Sequence, residues 1–309
     1  MPFRIIGDTN IDFIGMRRPA YIISAIFVVL GLFAATMMIV GKANLGIQFT
    51  GGAMVEGYFD QAVEIAELRD ALARGGIEDA EIVQIGGRPQ PYTFLIRVKA
   101  AEREIQKAKS VVDLIKQYFP NNKFTRDSEY AVGAAVGKDL KKDTLIAVAL
   151  SLLGILVYIA IRFDFRFGVS ATIATFHDVL AVVGIFYLMN VEINVLLISA
   201  ILTLAGYSLT DKVTVYDRIR ENLKKFHRKA DFVPAINRSI NEVLSRTIMT
   251  GTTVLACLII LVFVGGPVLR DFALALLIGI VIGTYSSVFV AAPIYVEWEE
   301  KSPKRFRSQ

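Results

Sequence analysis

Six long apolar runs and one polar interval divide the chain. Ala20 to Val40 carries no charge and is long enough to cross a hydrocarbon core, which takes about 20 helical residues. Thr144 to Ile161, Gly168 to Met189 and Ile193 to Tyr216 follow. Gly251 to Val264 is short, so its helix is expected to extend into the amphipathic stretch Val243 to Thr250, and Phe272 to Pro293 is the sixth run. The first run is too long for a cleavable signal peptide and lacks a small-residue cleavage site after it.

The polar interval, Gly41 to Asp143, alternates element types. Leu45 to Phe49 and Ala53 to Phe59 read as strands split by Gly51 and Gly52. Ala62 to Arg74 has helical spacing (Val63, Ile65, Ala66, Leu68, Leu72) and is closed by Gly75 and Gly76. Ala80 to Ile85 and Tyr92 to Val98 alternate as strands around a Gly86-Gly87 turn and Pro89. Ala101 to Phe119 is a second helix and Phe124 to Val132 a last strand. The order βαββαβ is that of a ferredoxin-like sandwich. The predicted fold class is therefore an α-helical polytopic membrane protein, with six transmembrane helices and an α+β domain inserted after the first. The division runs 1–40 for the amino end and first span, 41–143 for the inserted domain, 144–298 for spans two to six with a loop at 217–242, and 299–309 for a basic tail.

Composition agrees, since 54% hydrophobic residues and a mean hydropathy of +0.51 are too apolar for an ordinary soluble domain. The net charge of +5 reads as a topology signal. Arg4, Arg17 and Arg18 precede the first run; Arg162 and Arg166 flank the turn between runs two and three. Arg218, Arg220, Lys224, Lys225, Arg228 and Lys229 follow run four, and Lys301, Lys304, Arg305 and Arg307 close the chain. The opposite short loops, 190–192 and 265–271, contribute only Arg270. The positive-inside rule puts both termini in the cytoplasm and the mixed domain outside. Nucleic-acid binding is not expected, because no aromatic-basic surface module accompanies the charge.

Several chemistries drop out. One cysteine, Cys257, inside an apolar run, makes no disulfide framework or thiolate site and reads as a packing residue. His177 and His227 are too few and too far apart for a zinc set, and neither a glycine-rich strand-to-helix motif nor a Walker lysine is present. The expectation is a chain that is not an enzyme and has no metal or cofactor. Without an ATP site, work must draw on the membrane potential, about 2.3 kcal/mol per elementary charge per 100 mV.

Three charged residues remain inside the runs: Asp178, Asp211 and Lys212. Each costs several kcal/mol in hydrocarbon unless it meets a partner or a water-filled cavity. Thr203, Tyr207 and Asp211 recur at i, i+4 and i+8, a stripe of hydroxyls leading to a carboxylate, which can hold water and pass protons. The competing reading has Asp211 paired with an arginine, or shallow enough to be solvated. Lys212 points about 100° away from Asp211 and is expected to snorkel toward the end of its span. Asp178, beside His177, can titrate, but the favoured role is helix-to-helix hydrogen bonding, worth about 0.6–2 kcal/mol. Arg246 ends a segment with Ile236, Ile240, Val243 and Leu244 at helical spacing, suited to lying along the membrane surface before turning in. Asp217, Arg218, Arg220 and Glu221 read as salt-bridged structure.

Several strings together carry a family resemblance. Leu45-Gly-Ile-Gln-Phe-Thr-Gly-Gly52 resembles a GIDFTGG signature, and Val132-Gly-Ala-Ala-Val-Gly-Lys-Asp-Leu140 a VGPxxGxEL segment. Phe176-His-Asp-Val179, Gly206-Tyr-Ser-Leu-Thr-Asp-Lys-Val213, Val215-Tyr-Asp-Arg-Ile-Arg-Glu-Asn222 and Ser245-Arg-Thr247 complete the set. Over essentially its whole length the chain is similar to the SecF family, the smaller half of the SecD–SecF accessory complex of bacterial protein export. The resemblance implies a fold of the resistance-nodulation-division superfamily and pairing with SecD into a pseudo-symmetric twelve-span unit. It further implies work beside the SecYEG channel, with small accessory subunits such as YajC, in which proton flow drives preprotein translocation. It assigns the proton path to Asp211 and Arg246, and the signature to Gly46, Phe49, Thr50, Gly51, Gly52, His177, Asp217 and Arg218. Two positions depart: Gln48 stands where the family has aspartate, and Lys212 where it usually has threonine. Lys212 beside Asp211 favours an alternative, a passive assembly subunit whose partner alone carries the proton step. A small-molecule exporter of the same superfamily is a second alternative, although such exporters usually carry two large outer domains in one chain of twelve spans.

Overall fold

The first apolar run becomes α1 (Arg17–Ile39), which starts three residues before the run because a helix continues into its flanks once nucleated. The computed structural model describes residues 9–78, 80–85, 92–99, 104–225 and 232–303. The amino-terminal Arg4, the Gly86-Gly87 turn with Pro89, the basic residues Arg228 and Lys229 with His227, and the tail beyond 303 lie outside the described residues.

After α1 come α2 (Ile47–Thr50), β1 (Gly52–Phe59), α3 (Ile65–Arg74), β2 (Ala80–Ile85), β3 (Thr93–Lys99), α4 (Glu104–Tyr118) and β4 (Phe124–Val132). The strands form one antiparallel sheet in the order β2-β3-β1-β4, with α3 and α4 packed against it. This is the expected ferredoxin-like arrangement. Period-two alternation turns Ala53, Val55 and Phe59 of β1 inward, where Phe59 meets Phe94, Phe119 and Phe124 at ring distances of 5.8, 5.3 and 4.9 Å. Such aromatic pairs add about 0.5–1.5 kcal/mol each beyond area burial.

One expected strand is absent. Leu45 makes a single parallel bridge to Ile193, and residues 47–50 turn into α2 instead of extending. Gly51 (φ 79°) and Gly52 (φ 143°) therefore join a helical turn to a strand, in backbone geometry that a side chain would strain.

Five further helical segments follow: α5 (Ala134–Arg162), α6 (Phe165–Leu188), α7 (Val195–Leu223), α8 (Phe232–Val264) and α9 (Gly266–Ser286), the last continued by α10 (Ala292–Lys301). A π-helical turn, Ser287–Ala291, joins α9 to α10 just before Pro293, whose missing N–H breaks the regular ladder. The described residues thus contain six helical rods long and apolar enough to cross a membrane. Helix α5 starts at Ala134, ten residues ahead of the apolar run, with the extended Gly133 as its N-cap.

Helix α8 corrects another expectation: the segment before Gly251 does not lie along the membrane surface but runs unbroken into the fifth span. Its apolar face explains why, since Ile236, Ile240 and Val243 bury against Tyr216 and Ile219 of α7. Cys257 is exposed on the outer side of α8 rather than packed inside. Helices α6, α7 and α9–α10 form the inner layer, and α1, α5 and α8 are largely uncovered. Close approach of α1 to α6 is fixed by glycine: a Cβ on Gly31 would lie 2.3 Å from the Leu180 carbonyl oxygen. Small residues at such crossings let membrane helices pack backbone to backbone.

Candidate functional site

Two polar clusters flank α7. On its α6-facing side, Ser208 and Lys212 are one turn apart and share a face. Lys212 Nζ donates to Asp178 Oδ2 at 2.6 Å and to Ser208 Oγ at 2.5 Å, while Ser208 Oγ donates to the same carboxylate oxygen at 2.5 Å. Asp178 and Lys212 are both 0% exposed. The other carboxylate oxygen, Oδ1, lies 2.9 Å from His177 Nδ1, so the ring of the preceding residue folds back onto it. An ionised carboxylate only accepts, which assigns Nδ1 as the donor; Nε2 is enclosed without a hydrogen-bond partner. Phe27 of α1 sits edge-on to this ring.

This geometry overturns the snorkelling of Lys212. Instead of turning toward the end of its span, the side chain is fully buried and in contact with Asp178 on the adjoining helix. The lysine and Asp178 neutralise each other. It also supports the hydrogen-bonding role of Asp178 between α6 and α7, made stronger by a full charge on each side.

Asp211 points elsewhere. It is 7% exposed, and its Oδ2 is enclosed without a hydrogen-bond partner. Thr284 of α9 and Tyr207, one turn earlier on α7, stand beside it. The Tyr207 hydroxyl borders Thr250 of α8, but Thr250 Oγ1 donates to the Arg246 and Thr247 carbonyls at 3.0 Å each, and the tyrosine oxygen is left unpartnered. Thr203 continues the stripe on an exposed position, its hydroxyl turned onto the Ser199 carbonyl at 2.8 Å. The stripe is enclosed only at Tyr207 and Asp211.

One turn further along α7, Thr214, Asp217, Arg218 and Glu221 line a cavity of ≈ 450 Å³ with Glu242, Val243 and Arg246 of α8. Arg218 bridges Glu221 and Glu242 at 2.6 Å each, Asn222 Nδ2 donates to Glu242 at 2.7 Å, and Arg162 pairs with Asp217 at 3.4 Å. Among the described residues no ion pair joins Arg246 to Asp211; the arginine instead lines this cavity, whose wall on α7 starts at Thr214, three residues beyond Asp211. Gly46, Phe49, Thr50, Gly51 and Gly52 gather at the base of the sheet domain, away from both clusters, where Phe49 packs with Phe186 and Leu197.

Ser208 lies four residues before Lys212, a spacing that puts both on one face, but the sequence holds nothing that singles it out. Thr250 and Thr284 carry no signal that separates them from other threonines in apolar helices.

Residues 111–301 match the family described as protein export membrane protein SecD/SecF, C-terminal. Similar relatives include the protein translocase subunit SecF of Thermodesulfovibrio yellowstonii, 47% identical over 292 residues that cover 94% of this chain and 95% of that protein. The protein translocase subunit SecDF of Thermus thermophilus is 37% identical over 297 residues, covering 95% of this chain and 39% of that one. The crystal structure of SecDF, a translocon-associated membrane protein from Thermus thermophilus, superposes with a TM-score of 0.81 at 36% identity, over 97% of this chain and 40% of that chain.

Proposed function

The chain belongs to the SecD/SecF family of protein-export membrane proteins, and from that premise we propose that this translocase subunit couples proton flow to preprotein movement across the bacterial inner membrane. SecD is the partner this reading requires, because the Thermus SecDF relative carries the matching region within one longer chain. SecYEG, YajC and the preprotein complete the proposed assembly, with both termini cytoplasmic and the sheet domain periplasmic by the lysine and arginine asymmetry.

The observation that carries the reading is the unpartnered, enclosed Asp211 Oδ2 beside a charge pair that is already neutral. With Lys212 satisfied by Asp178, Asp211 is the carboxylate free to exchange a proton. Tyr207 lies on its periplasmic side and the cavity on its cytoplasmic side. A proton arriving past Tyr207 neutralises Asp211, which removes the desolvation penalty of the charge and lets α7 settle against Thr284. Release into the cavity restores the carboxylate, and Arg246 there supplies positive potential that favours the ionised form. The engagement of Lys212 with Asp178 also weakens the passive-subunit alternative, whose support was a lysine beside Asp211.

The test is gradient-driven preprotein translocation into inverted vesicles carrying the chain with SecD. Asp211→Asn keeps size and hydrogen bonding but not titration, so gradient stimulation should fall by about tenfold or more while the complex still assembles. Wild-type gradient dependence in that variant refutes the proton-carrying role and leaves the passive subunit ahead.

A further inference from the structure

Between α1 and the sheet, residues 44–48 lie against the loop that leads into α7. Gly46 N donates to the Ile193 carbonyl at 2.9 Å, Ile193 N to the Asn44 carbonyl at 2.8 Å, and Asn44 Nδ2 to the Asn190 carbonyl at 3.2 Å. The first turn of α7 has N–H groups without intrahelical partners. Asn194 Oδ1 accepts from Leu197 N at 2.9 Å, and Gln48 Oε1, reaching across from α2, accepts from Val195 N at 2.9 Å. From the sheet itself, Arg97 Nη1 of β3 meets Glu192 Oε2 at 2.8 Å, with the two side chains 15% and 7% exposed. Glu192 also explains Gly46, where a Cβ would lie 2.8 Å from its Oε1.

We propose that Gln48 and Arg97 are positioning residues that clasp the sheet domain to the first turn of α7, so that displacement of the helix bearing Asp211 is passed to the domain. This rests on the proton reading above. Asp211 is sixteen residues from Val195 in one unbroken helix, a rod of about 24 Å, and helix shifts of about 1–2 Å are carried along such a rod to its far end. The clasp has one weak arm beside its ion pair. Its Gln48 contact is a neutral hydrogen bond, where a carboxylate at a helix N-terminus makes a bond roughly twice as strong and gains from the helix dipole. Glutamine where the resemblance calls for aspartate therefore gives this chain a looser joint.

The test uses the full chain with SecD in inverted vesicles and reads translocation and proton flux separately. Arg97→Met and Gln48→Met should each lower gradient-stimulated translocation by about fivefold, with proton flux within about twofold of wild type. Arg97→Lys, which keeps the cation, should retain at least about half of the wild-type rate. Wild-type translocation in both methionine variants overturns the clasp. So does parallel loss of translocation and proton flux at matched complex levels, which marks a merely structural defect. Failure of the proton reading appears separately, as unchanged proton flux in Asp211→Asn.

Discussion

Replacing Lys212 by threonine is the sharpest test of the buried pair. If the lysine merely snorkelled, restoring the small residue would be tolerated. With Lys212 Nζ 2.6 Å from Asp178 Oδ2 and both side chains 0% exposed, the substitution instead strands a carboxylate. Removing one partner of a buried ion pair costs about 3–5 kcal/mol. At about 2–4 °C per kcal/mol, the unfolding midpoint of the detergent-purified Lys212→Thr chain should fall on the order of 6–20 °C. The double variant Lys212→Thr with Asp178→Asn removes both charges and should recover all but about 1–2 kcal/mol. A single Lys212→Thr variant melting within about 3 °C of wild type at pH 7 would refute the pair as a structural charge lock.

Two other outcomes follow from the same geometry. With Cys257 replaced, a cysteine at Asn121, exposed after α4, should react with a membrane-impermeant thiol reagent in intact cells, whereas one at Lys225 should not; the opposite pattern inverts the topology. Gly31→Val places a methyl-bearing Cβ 2.3 Å from the Leu180 carbonyl, so α1 must back away from α6. Its stability should drop by at least the about 1–3 kcal/mol typical of overpacking, and an unchanged melt refutes the contact.

The runs of apolar residues determined that this chain crosses a membrane, because a helix that satisfies its own backbone is almost the only way through hydrocarbon. Alternation in the polar interval likewise determined a βαββαβ domain, since Ala53, Val55 and Phe59 can face one side only if their strand is extended. Adjacent positions on one helix were legible too: Tyr207 and Asp211 do share an enclosed face. What failed were judgements about ends and partners. Leu45 to Phe49 has strand-like residues, yet its backbone hydrogen bonds go to the 190–193 loop and into a helical turn, an outcome set by a neighbour more than 140 positions away. Ile236, Ile240 and Val243 would suit a membrane surface as well as a core, and only the presence of Tyr216 and Ile219 beside them decides. Lys212 is the clearest case. Helical geometry sets its direction relative to Asp211, but whether that direction holds lipid, water or a carboxylate depends on how α6 packs against α7. Thirty-four residues separate Lys212 from Asp178, and no periodicity within either helix records which of its faces the other will meet.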